Sequence, residues 1–407
     1  MFSEYNVLYT TKHKLEGIRM MKMTYIIGIC LLSVTCAIAS EPVRLTSSSQ
    51  PAGTISESVK NEAVASVNRG LDWLASTQRD DGSWSDTNFP ALTALPLWAF
   101  SKSDHPRKNE IIDKAVKFIT LCVQPDGGIY KKVAGKKGGG LSNYNTSICI
   151  TALHATGKPE LTKIIQEGRK FIAGSQHFGD DEYSGGFGYD KDNKRAYTDL
   201  LNTFYAAEAM KMTSSVEDLK AKDATKTDIN WTETVKFIER LQNKESAGSE
   251  QAGGFVYNPT DPKAGTITNE AGKVVFRSYG SITYAGMLAM IYANVSRDDV
   301  RVRSAFDWSS KHWSLDENPG MGQMGLYFFY TVLARSLNAY GAELIPQKDG
   351  NAINWREDAL KKVISLQKRV EATGMGNWKN DTDRYWEGDP VLVTSYSLLA
   401  LQYTLTD

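Results

Sequence analysis

The fold of this chain follows from one stretch of its sequence, Gln78-Arg79-Asp80-Asp81-Gly82-Ser83-Trp84. A helical pattern of apolar residues leads into this stretch, and a second, more apolar helical pattern follows it. Glycine tolerates the positive backbone dihedral that ends a helix, and the aromatic residue after it can fold back onto a neighbouring unit. The stretch therefore predicts a turn between two helices.

Five further copies keep the same order of events with weaker sequence agreement. They are 124–130, Gln176 with Gly185-Gly186-Phe187, Gln242 with Gly253-Gly254-Phe255, a worn copy from Trp308 to Gly322 without the glutamine, and Gln367 with Gly376-Asn377-Trp378. Repeats of a few tens of residues are typical of stacked helical units that cannot bury their apolar faces alone. The chain is therefore expected to be a helical repeat protein.

The two helices of each repeat differ in their apolar pattern. The helix before the turn is amphipathic, as Ala63, Val67 and Leu71 show. The helix after it is apolar around most of its circumference, in the segments 146–155, 203–212, 281–292, 326–337 and 391–401. A helix of the second kind belongs inside a ring of the first kind. The pattern predicts an all-α protein, an (α/α)6 toroid of six helical-hairpin repeats, in which each glutamine joins its repeat to an orphan carbonyl at an adjacent helix end.

The repeats resemble those of the squalene cyclase and prenyltransferase repeat superfamily. The Gln-x-x-x-Gly-x-Trp motif of that superfamily is matched in full by Gln78, Gly82 and Trp84, and the likeness extends from about residue 59 to the C-terminus. The resemblance implies a terpenoid cyclase-like toroid, here a degenerate member, with a pocket on the ring axis at the N-terminal ends of the inner helices. The superfamily includes triterpene cyclases, zinc-dependent protein prenyltransferases and the thioester domains of complement-like proteins, so the resemblance specifies the fold better than the activity.

Three segments are expected. Residues 1–40 form an N-terminal extension and secretory signal peptide, 41–58 a flexible linker rich in serine, and 59–407 the toroid. Basic residues Arg19 and Lys22 precede an apolar run at 26–34 and the small residues 37–39, which is typical of a cleaved signal. The run is shorter than the about 20 residues of a membrane span. We expect export to the periplasm or the medium, with membrane contact only through an uncleaved signal anchor.

Composition limits the partners. The chain has 47 basic and 47 acidic residues, so no bulk positive field recruits nucleic acid. No cofactor is expected and no metal site is readable, because none of the five histidines lies in a ligand-spaced pair with a cysteine. The expected partner is a small apolar or extended molecule. The oligomeric state stays open.

The resembled triterpene cyclases carry an acid motif, Asp-x-Asp-Asp-Thr-Ala, whose second aspartate protonates the alkene. The counterpart here begins at Asp199 and ends at Phe204, with Leu201 in place of the proton donor and Asn202 in place of its partner. Ordinary cyclase chemistry is therefore not expected. The remaining candidate acids are Asp199 and the aspartates of the segment 381–389, namely Asp381, Asp383 and Asp389.

Aromatic and polar residues near the starts of the inner helices are the candidate ligand contacts. The set is Tyr144, Asn145, Asn202, Tyr284 and Tyr396. Three functions stay open at this point: an isoprenoid-binding protein with or without residual catalysis, a non-catalytic binding or scaffold toroid, and a carbohydrate-processing (α/α)6 enzyme. The last lacks the pair of carboxylates that glycoside hydrolysis requires.

Overall fold

The computed structural model describes residues 53–133, 140–191 and 197–406. The predicted signal peptide, and the linker up to residue 52, lie outside these residues. In the described part, twelve α-helices alternate along the chain between an outer and an inner layer. The outer helices are α1 Glu57–Thr77, α3 Lys108–Thr120, α5 Thr162–Ala173, α7 Trp231–Arg240, α9 Val300–Lys311 and α11 Trp355–Ser365. The inner helices are α2 Ala91–Ser101, α4 Ser142–Ala155, α6 Leu200–Met212, α8 Gly280–Tyr292, α10 Leu326–Tyr340 and α12 Pro390–Leu405.

The inner helices form a closed ring. Each of them packs against the next one in the chain, and the last, α12, packs against the first, α2. The outer helices lie on the outside of this ring, and α1 contacts both α11 and α12, so the two ends of the repeat array meet. The predicted all-α (α/α)6 toroid is confirmed. Helix α1 begins two residues before the predicted start of the toroid at residue 59.

Burial explains the two layers. Helix α1 buries the stripe of Ala63, Val67, Leu71 and Leu74 and exposes its other face, whereas α8 is buried along almost its whole length. Apolar side chains on all sides of a helix remain out of water only where other helices surround it. The inner helices therefore occupy the middle of the molecule.

Short antiparallel hairpins occur in the connections. They are β1 Thr266–Thr268 with β2 Val274–Phe276, β3 Ile345–Pro346 with β4 Ala352–Ile353, and β5 Lys368–Arg369 with β6 Gly376–Asn377. None of these pairs joins a larger sheet in the described part of the chain. They shape loops around a helical scaffold.

Four of the repeat glutamines link successive outer helices. Each side-chain amide donates to a backbone carbonyl of the next outer helix or its N-cap: Gln78 to Ile111, Gln176 to Asn230, Gln242 to Arg301 and Gln367 to Ser66. The acceptors differ from the prediction, because they lie near the start or in the middle of the next outer helix rather than among the orphan carbonyls of a helix end. A carbonyl oxygen has two lone pairs and can accept this bond in addition to a helical one. The amide of Gln124 instead stays within its own turn.

The turn glycines and a set of threonines fix each repeat internally. At Gly82, where φ is +86°, a Cβ atom would lie 2.1 Å from the Lys114 carbonyl oxygen of α3, so no larger residue fits. Five turns also donate a backbone N–H to a threonine hydroxyl on the following inner helix. The pairs are Trp84 to Thr93, Ile129 to Thr146, Phe187 to Thr203, Phe255 to Thr283 and Trp378 to Thr394. These threonines hold the turns in place.

Candidate functional site

A cavity of about 380 Å³ lies on the ring axis. Every inner helix contributes a residue from its first or second turn, and the loops that precede these helices supply the rest. The lining residues on the helices are Leu92, Tyr144, Leu201, Tyr205, Ser281, Ile282, Phe328, Leu392 and Tyr396. The cavity therefore sits at the N-terminal ends of the inner helices, where the resemblance implies a pocket.

Aromatic side chains dominate the wall of this axial cavity. The aromatic lining residues are Phe89, Tyr144, Tyr189, Tyr197, Tyr205, Tyr257, Tyr279, Phe328, Tyr385, Trp386 and Tyr396. Among the described residues that line the cavity, only Lys263 and Glu387 carry a charged group. The wall is thus suited to apolar ligands and to ligands that pack against aromatic rings.

Three tyrosine hydroxyls meet inside the inner ring. The hydroxyl oxygens of Tyr205 and Tyr396 are 3.4 Å apart, and the Tyr144 hydroxyl bonds to both of them. Burial raises the pKa of all three hydroxyls, so they are neutral donors and acceptors at physiological pH. This tyrosine cluster gives an apolar cavity one uncharged polar spot.

A buried ion pair fills the axis further along the inner helices. Arg335 of α10 pairs with Glu208 of α6, and the Tyr292 hydroxyl donates to Glu208 over 3.1 Å. The guanidinium also lies 5.0 Å from the ring centroid of Trp98 and 5.5 Å from that of Tyr403. Helices α6 and α2 are not neighbours of α10 in the ring, so these contacts span the axis. The ion pair limits the depth of the axial space.

Glu387 is the cavity carboxyl that sequence reasoning missed. Its Oε1 accepts the backbone N–H groups of Tyr327 and Phe328, at 3.0 and 2.8 Å, at the start of α10, and its Oε2 accepts the Asn380 side-chain amide at 2.7 Å. Burial raises its pKa to about 6. No motif marks this residue, because two of its three partners come from a helix start some 60 positions earlier in the chain.

Asp199 lies behind the cavity wall. It is fully buried, caps α6, and accepts hydrogen bonds from the backbone N–H and the side-chain amide of Asn202, both at 2.8 Å. Burial raises its pKa to about 7, against the lowering effect of these bonds and of the Tyr257 hydroxyl beside it. Of the segment that begins at Asp199, Leu201 is the residue that lines the cavity. The position that holds the acid in the resembled cyclases is therefore apolar.

Two of the five predicted ligand contacts line the cavity and three do not. Tyr144 and Tyr396 are lining residues. Asn145 is fully engaged with the backbone of Ala91, Gly140 and Leu141, and Asn202 serves Asp199. Tyr284 packs on Phe329, and its hydroxyl bonds to Ser309 of the outer helix α9. These three residues lie outside the lining, because the Asn145 side chain bonds to nearby backbone, the Asn202 amide N–H bonds to the cap residue Asp199, and the Tyr284 hydroxyl bonds to another helix. As ligand contacts they stay predictions.

The remaining candidate acids are turn and cap residues. Asp381 is exposed and pairs with Lys368, and Asp383 accepts the backbone N–H of Gly388. Asp389 caps α12 by accepting the N–H of Val391 and also bonds to Ser85. Of this loop, Tyr385, Trp386 and Glu387 reach the cavity.

No group of three or more histidine, cysteine, aspartate or glutamate side chains in the described ranges is arranged to hold a metal ion. Within those same ranges, no helix combines the length and the apolar character of a membrane span.

Comparison with known proteins places the architecture. No model of a known protein family matches the sequence, and no curated protein matches it either. Solved structures do match. A type II terpene cyclase variant from Scytonema, bound to its product merosterolic acid A, has 12% identity and a TM-score of 0.51 over 86% of this chain and 98% of its own.

The chain has the α/α toroid fold. Two further structures share it. Protein geranylgeranyltransferase-I from Candida albicans, complexed with GGPP, has 14% identity and a TM-score of 0.52 over 86% of this chain and 91% of its own. An inactive α-1,6-mannanase variant from Salegentibacter, with α-1,6-mannotriose bound, has 11% identity and a TM-score of 0.52 over 85% and 99%. At these identities the likeness extends to the fold alone.

Proposed function

We propose that this toroid binds an elongated apolar ligand of isoprenoid type in its axial cavity. The observation that carries the proposal is the lining, in which all six inner helices direct an apolar or aromatic side chain into one space. The volume of about 380 Å³ falls within the range of small-molecule sites. Among the proteins with this fold, the Scytonema cyclase binds geranylgeranyl dihydroxybenzoate and the Candida transferase binds GGPP.

Binding is favoured over cyclisation by the state of the two buried acids. An acid that protonates an alkene must be held in its neutral form and aimed at the substrate. Glu387 accepts two backbone N–H bonds and an amide bond, which stabilise its ionised form, and Asp199 faces Asn202 rather than the cavity. The geometry therefore supports a binding protein better than a cyclase.

A carbohydrate-processing function is supported less well. Glycoside hydrolysis uses two carboxyl groups on opposite sides of the scissile bond. Among the described lining residues, Glu387 is the one carboxyl, and its oxygens are engaged by α10 and Asn380.

We also propose, from the sequence alone, that the protein is exported. N-terminal sequencing of the mature protein from the periplasm or the medium tests this proposal. An intact N-terminus on protein found in the cytoplasm would contradict it.

The ligand proposal is tested by thermal shift with geranylgeraniol, farnesol, maltotriose and mannotriose. We expect the isoprenoid alcohols to raise the melting temperature and the oligosaccharides to have no effect. The variant Leu201→Trp fills the cavity and should abolish the shift. The matched control Leu121→Trp changes an exposed leucine, 77% accessible, and should keep it. Stabilisation by oligosaccharides, or an unchanged isoprenoid shift in Leu201→Trp, would refute the proposal.

A further inference from the structure

We propose that the axial cavity selects ligands that carry a positively charged head group of the ammonium class, held at the cavity mouth between Glu387 and the surrounding aromatic rings. This inference rests on the proposed function, since it specifies the charge of the ligand in the same cavity. It separates three chemistries that the apolar lining alone does not distinguish: cationic, neutral and anionic amphiphiles.

The mouth is built from aromatic faces. Tyr385 and Trp386 come directly before Glu387 and line the cavity, and Trp386 makes an edge contact with Phe89, with ring centroids 4.8 Å apart. Phe328, whose backbone N–H bonds to Glu387, lies 5.8 Å from Tyr396 between ring centroids. Faces of this kind attract ammonium groups through the ring quadrupole, and aromatic cages are a recurring means of binding quaternary ammonium.

The backbone at the mouth is strained at the two residues that carry these rings. Tyr385 and Trp386 both have positive φ, 61° and 68°, although neither is glycine. Both side chains are more than two-fifths exposed, so burial of their own surface does not compensate for this conformation. Such strain persists where the surrounding structure fixes the residue, and it concentrates at functional sites. Here the anchor is Glu387, bonded to the start of α10.

The charges around the cavity favour a cation. Lys263 is the one basic group among the described lining residues, and its ammonium lies 2.7 Å from the Asp261 carboxylate. Further along the axis, Arg335 is likewise balanced by Glu208. Glu387 has no cationic partner among its described hydrogen bonds, which all come from neutral amides. A carboxylate without a counter-ion in a partly dehydrated site attracts a cation and repels phosphate or carboxylate.

The same walls already hold cations of the protein itself. The Lys263 ammonium lies 5.1 Å from the ring centroid of Tyr257, and the guanidinium of Arg384, which is not a lining residue, lies 5.1 Å from that of Tyr385. Two lining rings therefore have geometry compatible with cation contact. The ligand head group is expected at the lining rings next to Glu387 in the chain, Tyr385 and Trp386.

The test is calorimetric titration of the full-length mature protein with decyltrimethylammonium, decan-1-ol and decyl phosphate, all below their micelle concentrations. We expect decyltrimethylammonium to bind about tenfold more tightly than decan-1-ol, and decyl phosphate to bind weakest. The variant Glu387→Gln should remove most of this preference, while the control Asp383→Asn, in the same loop but outside the lining, should keep it.

A second pair of variants keeps the test decisive if Glu387→Gln folds poorly. Trp386→Leu removes an aromatic ring from the lining and should weaken decyltrimethylammonium binding more than decan-1-ol binding. The exposed Phe178→Leu, outside the lining, is its control and should change neither. Equal affinity for the three probes, or tightest binding of the phosphate, would overturn the inference and leave the proposed function standing. No binding of any probe would overturn both.

Discussion

The Gln367 side chain at the end of α11 donates to the Ser66 carbonyl of α1 over 2.9 Å, across 301 positions of the chain. Its Oε1 accepts in return from the Ser66 hydroxyl and from Arg69. The same residue type that links α1 to α3, α5 to α7 and α7 to α9 thus links the last repeat to the first. The glutamine contact that joins neighbouring outer helices elsewhere in the array therefore closes the ring here, between α11 and α1.

Replacing Gln367 with alanine should open this closure. Three hydrogen bonds between α11 and α1 are lost, and we expect a cost of about 1–3 kcal/mol in unfolding free energy. Backbone amides of α1 and α11 should exchange faster with deuterium than those of α5 or α7. The matched control is Gln124→Ala, whose amide bonds stay within its own turn. Similar exchange in the two variants would contradict a closing role for Gln367.

Trp84 should be one of the most costly residues to truncate. It is fully buried and its indole N–H donates to the Leu74 carbonyl over 2.8 Å. Trp84→Ala leaves a cavity and an unpaired carbonyl, and we expect a loss of about 3–5 kcal/mol. Chemical denaturation measures the loss. Trp386→Ala, at an exposed tryptophan, serves as the control, and a cost for Trp84→Ala as small as the control's would disprove the packing role of the turn aromatic.

Asp199 should make folding stability fall with rising pH. Its pKa is about 7 in the folded protein against an ordinary value of 3.8, so the folded state binds the proton more tightly than the unfolded chain. Stability is therefore greatest below the unfolded pKa and is lost as the pH rises to about 7. Asp199→Asn removes this effect, and its new amide can donate to the buried, unpartnered Oδ1 of Asn202 after that amide rotates.

The measurement is the unfolding free energy of Asp199→Asn relative to the parent protein at pH 5 and pH 8. We expect the variant to gain on the order of 3 kcal/mol between the two. Asp81→Asn is the control, because hydrogen bonds from Ser83 lower the pKa of Asp81 below its ordinary value of 3.8, so this carboxyl is ionised in both the folded and the unfolded state and its variant should show no change between pH 5 and pH 8. A pH-independent difference for Asp199→Asn would rule out the protonated, buried carboxyl.

The fold was predictable from the sequence because its causes are local and repeated. Glycine at Gly82, the apolar stripe of α1 and the apolar circumference of α8 each act within one repeat, and the ring follows from stacking such units. The sequence predicted that the glutamine amides donate to carbonyls of an adjacent helix. It did not predict which carbonyls accept, because this depends on how the helices are tilted against each other.

The lining of the cavity was predictable from the sequence only at aromatic residues near the starts of inner helices, namely Tyr144 and Tyr396. Asn145 and Asn202 resemble pocket residues in sequence, yet the amide nitrogen of each donates to a nearby residue, Gly140 for Asn145 and Asp199 for Asn202. Glu387 could not be found, since its environment arises from a loop folding onto the start of α10. Sequence patterns encode helix faces well and encode contacts between distant loops poorly.

The ion pair of Arg335 and Glu208 gives the last prediction. Both side chains are almost fully buried between helices that face each other across the axis. Glu208→Gln leaves the guanidinium without its counter-ion, and we expect a loss of about 3–5 kcal/mol. The double variant Arg335→Met, Glu208→Met should recover part of this loss, since an apolar pair needs no desolvation; the Tyr292 hydroxyl, which then lacks its acceptor, limits the recovery.

Chemical denaturation of the single and double variants measures the coupling between the two charges. The exposed pair of Lys226 and Asp218 is the control, and Asp218→Asn should change stability by less than about 1 kcal/mol because water screens that pair. Ligand-induced thermal shifts should survive in the double variant, because Arg335 and Glu208 lie beyond the lining of the cavity. A double variant less stable than Glu208→Gln would show that the ion pair, with its contacts to Trp98 and Tyr403, supports the inner ring in a way that apolar packing cannot replace.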